Sequence, residues 1–353
     1  MSEWEPELEE LKFRESLAEK MGGSEKVERQ NERGKLNIRE RIALLLDEDS
    51  FHEIGKIAGK ATYDENGDLL DLQASNFIFG RGRIDDRTVV IAGDDFTVRG
   101  GAADASIITK QVAAEQMANE LNLPIIRLID GTGGGGSVKT LDPNEHSKGS
   151  ISANTYGRGA RTYVPLNPGW EYVISNLATV PTVSLCLGPV AGLGAARAVS
   201  SHYSVMVKDL SQLFVAGPPV VNALGIEEVD KESLGGSQIQ TRNGSIDDEV
   251  ESEEEAFAAA RKFLSYLPSS TFENSEKLST EDSTSRTDPN LNDIIPRDRR
   301  KVYRMRNIIE SVFDVHSFFE MSSSFGRSAI TGLARLDGWP VAVLAGDPYH
   351  YGG

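Results

Sequence analysis

The segment Leu187-Gly188-Pro189-Val190-Ala191-Gly192-Leu193-Gly194-Ala195-Ala196 sets a turn of small residues between a buried apolar run, Thr182–Leu187, and a helical pattern over 191–199. Backbone N–H groups at such a helix start, left uncovered by side chains, can hold a developing enolate oxygen. The same small residues would equally serve close packing of a helix on a sheet, and this segment alone leaves both readings open. A second glycine loop, Gly131-Thr132-Gly133-Gly134-Gly135-Gly136, follows the apolar run Ile125–Ile129 and formally matches GxGxxG. The helix that a dinucleotide site requires does not follow it, because 138–149 contains Pro143 and no apolar stripe. Nor is it a P-loop, since Ser137-Val138 stands where Lys-Ser or Lys-Thr is needed. It is either a surface loop or one whose missing side chains let a ligand reach the backbone.

Side chains with catalytic spacing are missing. The five histidines (His52, His146, His202, His316, His350) are scattered, with none at metal-ligand spacing. There is no GxSxG elbow, and Cys186 falls inside an apolar run, where a buried, inert thiol is expected. Backbone-rich turns without an acid, base or nucleophile point to oxyanion stabilisation, with the difficult chemistry supplied by a cofactor. Acyl-CoA enolate chemistry has that form.

The elements that must position these turns alternate between strand and helix. Runs at Val89–Ala92, Ile125–Ile129, Thr182–Leu187, Tyr203–Val207 and Leu213–Val215 read as strands, and helical spacing covers Arg39–Leu46, Asp104–Leu121, Trp170–Leu177 and Ala256–Leu267. The fold class is therefore α/β, with glycine loops at strand ends, where open α/β sheets bind ligands. Residues 1–38 read as a charged, helical, solvated extension, 39–268 as the main domain, 269–300 as a linker rich in Ser, Thr, Asp, Glu and Pro, and 301–353 as the beginning of another domain. With 37 basic and 54 acidic residues the formal charge is −17, which excludes a broad nucleic-acid footprint. An anionic small ligand would need local cations or helix starts set against that field. One cysteine, an acidic start and no long apolar segment predict a reducing, cytoplasmic setting with no membrane span and no bound metal.

The chain also repeats itself. Arg39-Glu40-Arg41, Ser50-Phe51-His52-Glu53, Arg83-Ile84-Asp85, Val89-Val90-Ile91 and Ala92-Gly93-Asp94 lead to Gly100-Gly101. They return as Met305-Arg306, Ser317-Phe318-Phe319-Glu320, Arg335-Leu336-Asp337, Val341-Ala342-Val343 and Ala345-Gly346-Asp347, leading to Gly352-Gly353. So long an interval means two similar domains, the second incomplete in this sequence.

These residues resemble the carboxyltransferase (β) subunits of biotin-dependent acyl-CoA carboxylases. The resemblance rests on Arg39-Glu40-Arg41-Ile42 with Phe51-His52-Glu53-Ile54, on Asp95 through Gly101, on Gly188-Pro189-Val190-Ala191-Gly192, on Met206-Val207-Lys208-Asp209, and on Phe263 through Pro268. It implies two crotonase-like domains, the first for acyl-CoA and the second for carboxybiotin. It also implies carboxyl transfer from biotin to the α-carbon of an acyl-CoA through an enolate held by the N–H groups of Gly192 and Leu193. Acyl-CoA contacts are implied at Gly100, Gly101, Gly133, Gly134, Gly135, Gly136 and Gly188, biotin on a partner carrier with its biotin carboxylase, and a hexameric homo-oligomer. The chain departs from the family pattern at Asp130–Ser137, which lacks the family's Arg, and at Leu193, which replaces a glycine. The biotin-side loop is expected beyond Gly353, so this chain is expected to hold acyl-CoA without completing transfer alone. Decarboxylation of a malonyl-type CoA, or a non-catalytic acyl-CoA-binding or assembly role, are the alternatives.

Overall fold

The computed structural model describes residues 3–101, 107–131, 170–225 and 228–351. Two helices come first, α1 (Glu5–Ala18) and α2 (Ser24–Asn31). The end of α1 is seated rather than solvated, with Leu17 and Ala18 buried against Leu72. Helix α3 (Ile38–Leu45) opens on a capping box, where Asn37 Oδ1 accepts from the backbone N–H of Arg39 and Glu40 and Glu40 Oε2 accepts from that of Asn37. Its buried face is Ile38, Arg41, Ile42 and Leu45, a helical stripe that contains one arginine.

Next come β1 (His52–Glu53), the hairpin of β2 (Gly59–Tyr63) and β3 (Leu69–Ala74), and the long pair β4 (Phe77–Ile84) and β5 (Arg87–Asp94). Helix α4 (Ile108–Leu121), β6 (Ile125–Ile129), α5 (Trp170–Thr179), β7 (Thr182–Cys186), β8 (Pro189–Ala191), α6 (Leu193–Val199), β9 (Tyr203–Val207) and β10 (Gln212–Phe214) come after them. Three short helices then lead to β11 (Asp248–Val250) and α7 (Glu253–Ser265).

The main sheet has the order β1-β4-β5-β6-β7-β9-β11. It is antiparallel up to β5 and parallel from β5 onward. Strands β6, β7 and β9 are buried along their whole length, which is why they read as continuous apolar runs. Alternate residues serve opposite faces. Val89, Ile91, Ile126, Leu128, Val183 and Leu185 pack with α3 and α7, whereas Val90, Ala92 and Ile125 pack with α4.

Two local expectations are corrected. Pro189–Ala191, expected as loop, is a strand paired in parallel with β10 through Pro189↔Gln212, Val190↔Leu213 and Ala191↔Phe214. Its Val190 is buried in the core, and its leading proline needs no ladder donor. The helix expected from Ala191 starts instead at Leu193, because Gly192 takes φ +62° and breaks the helical path.

Residues 269–300 carry one 3-10 turn, Pro289–Asn292, and are tied to the C-terminal unit by several hydrogen bonds. Asp282 accepts from Val315 N–H at 3.1 Å, and Arg286 donates to the Ser311 and Phe313 carbonyls at 3.0 and 2.9 Å. In that unit, helix α8 (Met305–Val312) leads to the antiparallel β12 (Phe319–Met321), β13 (Ala329–Leu336) and β14 (Trp339–Gly346). The arrangement reproduces α3 with β1, β4 and β5. Arg39 pairs with Glu53 at 2.9 Å and Arg306 with Glu320 at 2.5 Å, each across fourteen residues. The strand register shifts one sequence match by a residue. Phe77↔Asp94 corresponds to Ala329↔Gly346, so Asp347 is the counterpart of Asp95, not of Asp94. The backbone agrees, with Asp95 N–H bonded to Asn76 and Asp347 N–H to Ser328.

Candidate active site

Three parallel-sheet segments end side by side, at Asp94, Asp130-Gly131 and Leu187-Gly188. After β5 the chain turns through Gly100 and Gly101, at φ +63° and +66°. Gly101 lies directly on Gly131, where a Cβ would come within 2.6 Å of the Asp130 carbonyl oxygen and 2.9 Å of the Gly131 Cα. Only glycines permit that contact of backbone on backbone.

Beneath it lies a buried ion network that sequence spacing did not reveal. Arg41, wholly buried on α3, donates to Glu253 Oε2 at 2.6 Å, to Asp130 Oδ2 at 2.8 Å and to the Leu187 carbonyl at 2.9 Å. Lys35 Nζ donates to Asp130 Oδ1 at 2.8 Å and sits 4.3 Å from the centre of the Phe96 ring. Burial pulls the Lys35 ammonium below its ordinary pKa against the attraction of Asp130. Gly188 passes over this network, and a Cβ there would stand 2.1 Å from Asp130 Oδ1 and 2.5 Å from Lys35 Nζ. Asp94 accepts from the Asp130 backbone N–H at 3.2 Å, and burial raises its carboxyl to about 6, opposed by Arg197.

The turn of interest rises from this base. Ala191 N–H donates to the Gly131 carbonyl at 3.3 Å, and Gly192 N–H is directed at the carbonyls of Phe214 and Val215, at 3.3 and 3.1 Å. Helix α6 begins at Leu193 without a side-chain cap, and its first closing bond runs from Ala196 N–H to the Gly192 carbonyl at 3.1 Å. Among the described residues, the N–H groups of Leu193, Gly194 and Ala195 have no carbonyl partner, as helix geometry requires of a first turn. Leu193 is half exposed.

Beside this turn opens a cleft of about 510 Å³ lined by Lys26, Arg29, Arg33, Lys35, Arg99 and Lys231, with Asp209 as its one carboxylate among the described residues. Pro189 and Gln212, which pair in β8 and β10, form part of its wall, and Gly100 and Phe96 another part. The cleft therefore runs from Lys26 and Arg29 of α2, with Arg33 just beyond it, to β8, which ends one residue before Gly192. Lys26, Arg29 and Arg33 belong to the stretch expected to be a solvated extension, although their i, i+3, i+7 spacing marks one helical face. Gly100 and Gly188 adjoin this cleft and its floor, whereas Gly133, Gly134, Gly135 and Gly136 lie outside the described residues.

The remaining side chains behave as structural parts. Burial pushes the Cys186 thiol up to about 12, which leaves it unreactive. His202 Nδ1 lies 2.9 Å from Thr182 Oγ1 and Nε2 the same distance from the Leu177 carbonyl, and His146 lies outside the described residues. Among the described residues no group of three His, Cys, Asp or Glu could hold a metal ion, and no helix is long and apolar enough to cross a membrane.

Residues 29–353 match the carboxyl transferase domain. The propionyl-CoA carboxylase beta chain of Roseobacter denitrificans is 31% identical over 342 residues, covering 97% of this chain and 63% of that relative. The methylmalonyl-CoA decarboxylase subunit alpha of Veillonella parvula is 29% identical over 328 residues, covering 93% and 60% respectively. A solved structure of transcarboxylase 12S, described as a hexamer with methylmalonyl-CoA and methylmalonic acid bound, superposes with a TM-score of 0.81 at 28% identity, covering 99% of this chain and 64% of that one. The chain thus spans less than two thirds of the length of these relatives, and its mixed α/β sheet is of the crotonase-like kind. On the match of nearly its whole length, the chain belongs to the carboxyl transferase domain family.

Proposed function

We propose that the chain is the acyl-CoA side of a carboxyltransferase, which receives a carboxyl group on the α-carbon of an acyl-CoA from carboxybiotin carried by a partner protein. The observation that carries this reading is the basic cleft, whose wall includes Pro189 of β8, three residues before Gly192 at the uncapped start of α6. Six cations in one cleft oppose the overall charge of −17 and suit the phosphates of CoA. The thioester would then lie at the Gly192 turn. Its oxygen, gaining charge as the enolate forms, is stabilised by the N–H of Leu193 and, once released from the Phe214 and Val215 carbonyls, that of Gly192. Gly100 lines the cleft, Gly101 and Gly188 let the backbone close over Asp130 beside it, and Gly133 to Gly136 are proposed to complete the acyl-CoA contacts.

Among the described residues the strand–glycine turn–helix unit around Gly192 has no counterpart in α8 and β12–β14. The described residues therefore do not by themselves fit a biotin site. A hexameric assembly with a biotin carboxylase and its carrier, in the cytoplasm, completes the proposal.

Isothermal titration with CoA and with propionyl-CoA tests it. Both are expected to bind, more weakly as salt rises, with propionyl-CoA the tighter. Failure of both to bind overturns the reading. Assay with a carboxylated carrier and with methylmalonyl-CoA then separates carboxylation from decarboxylation, the activity in the name of the Veillonella relative.

A further inference from the structure

The network under the turn ties the two glycine-bearing strand ends together at named atoms. Arg41 holds the Asp130 carboxylate and the Leu187 carbonyl with one guanidinium, at 2.8 and 2.9 Å. Glu253, from α7, fixes that guanidinium through two further bonds of 2.6 and 3.0 Å. Lys35 holds both oxygens of Asp130, at 2.8 and 2.7 Å, from the cleft side. The residue after Asp130 then acts on the turn, because the Gly131 carbonyl accepts from Ala191 N–H, next to Gly192. Gly188 has no room for a methyl group above the same carboxylate.

A stability role alone explains this arrangement poorly, since a buried ion pair stabilises little over apolar residues of the same volume. What such a network does supply is a fixed geometry, and an oxyanion donor misplaced by about an ångström loses much of its effect. We infer that Arg41 and Asp130, steadied by Lys35 and Glu253, are positioning residues that set where the Gly192–Leu193 N–H groups stand relative to the acyl carbonyl. They touch no reacting atom. Lys35 also lines the cleft, so occupation of the cleft and placement of the turn share one side chain. The inference rests on the reading that the thioester meets this turn.

The test uses the full chain with CoA and with propionyl-CoA carrying a ¹³C-labelled carbonyl, read by difference infrared spectroscopy. In the wild type the carbonyl band is expected to fall in frequency on binding, as a hydrogen-bonded thioester does. In Arg41→Lys, which keeps the charge but cannot span Asp130, Glu253 and Leu187 together, the band is expected to move back toward its solution position and broaden. CoA affinity is expected to stay within about twofold. Glu253→Gln, at a residue that does not line the cleft, loosens the same guanidinium and provides the test where Arg41→Lys does not give a cooperative melt. A wild-type band that does not move overturns the placement of the thioester at this turn. A wild-type band that moves and stays moved in a folded variant overturns the positioning role while leaving that placement intact.

Discussion

Gly192 combines φ +62° with ψ −125°, a backbone state that only glycine enters at little cost, and it lies between the last residue of β8 and the first of α6. Replacing it with valine forces a β-branched residue into that state, at about 1–3 kcal/mol. The expected outcome of Gly192→Val is a lower melting temperature and loss of the difference between propionyl-CoA and CoA in titration. CoA itself should still bind, because the cleft cations lie elsewhere; an unchanged difference would remove the turn from the site. Asp94 offers a separate test through pH. Its folded carboxyl titrates near about 6 against an ordinary 3.8, because burial disfavours the charged form. The sign follows from proton binding: the folded state holds the proton longer than the unfolded state, so the contribution is complete below the ordinary value and lost as pH rises through about 6. Between pH 4 and 7 the wild type should thus lose up to about 3 kcal/mol relative to Asp94→Asn, whose amide does not titrate. Parallel denaturant titrations at both pH values measure this, and equal slopes with pH would refute it.

At the scale of elements, α2 determines whether the cleft can hold phosphates. Lys26 and Arg29 on α2 and Arg33 just past its end line it, and Arg29 is partly occupied by Glu25 at 2.6 Å. Changing all three to serine should weaken CoA binding by about tenfold or more, about 1.4 kcal/mol, and flatten its dependence on salt. Loss of affinity with an unaltered salt dependence would count against a phosphate role. These residues also mark the limit of what local spacing encodes. Strands β6, β7 and β9 were legible because burial on both faces makes the run of apolar residues continuous, and the turn at Gly192 because small residues between strand and helix leave donors exposed. The basic face of α2 was overlooked because solvated charge and ligand-facing charge have the same spacing until a partner surface is known. Arg41 was hidden for a related reason. It occupies a core position of α3, and the carboxylates it meets lie 89 and 212 residues away. No local pattern encodes a contact of that range. The strand β8 was missed because three residues around a proline carry too little alternation to distinguish a strand from a loop.

At the scale of the molecule, the repeated unit is bound into the first domain rather than appended to it. Phe319 on β12 meets Tyr203 of β9 edge to face at 5.4 Å, and Tyr203 in turn stacks on Phe263 of α7 at 5.0 Å. Phe319, Met321 and Leu333 join the core that contains Ile126, Leu128 and Leu185 of the central strands. Polar bonds run along the same seam, with Ser322 Oγ donating to Asp247 at 2.9 Å and Tyr266 OH to the Ser317 carbonyl. The two units should therefore unfold together, although each has its own copy of the Arg–Glu ion pair. Phe319→Ala is expected to cost about 2–3 kcal/mol, somewhat below a fully buried phenylalanine because this ring is only half buried. The loss should appear in one transition reported equally by probes in both units, such as single fluorophores placed near Val199 and near Leu344, both exposed positions. If the probe at 344 melts first while the one at 199 keeps its wild-type midpoint, the units are independent and the shared core does not couple them. If both midpoints fall together, the C-terminal unit supports the strands that carry the turn at Gly192. A substitution far from the cleft would then lower the population of molecules able to bind propionyl-CoA without altering the affinity of those that remain folded.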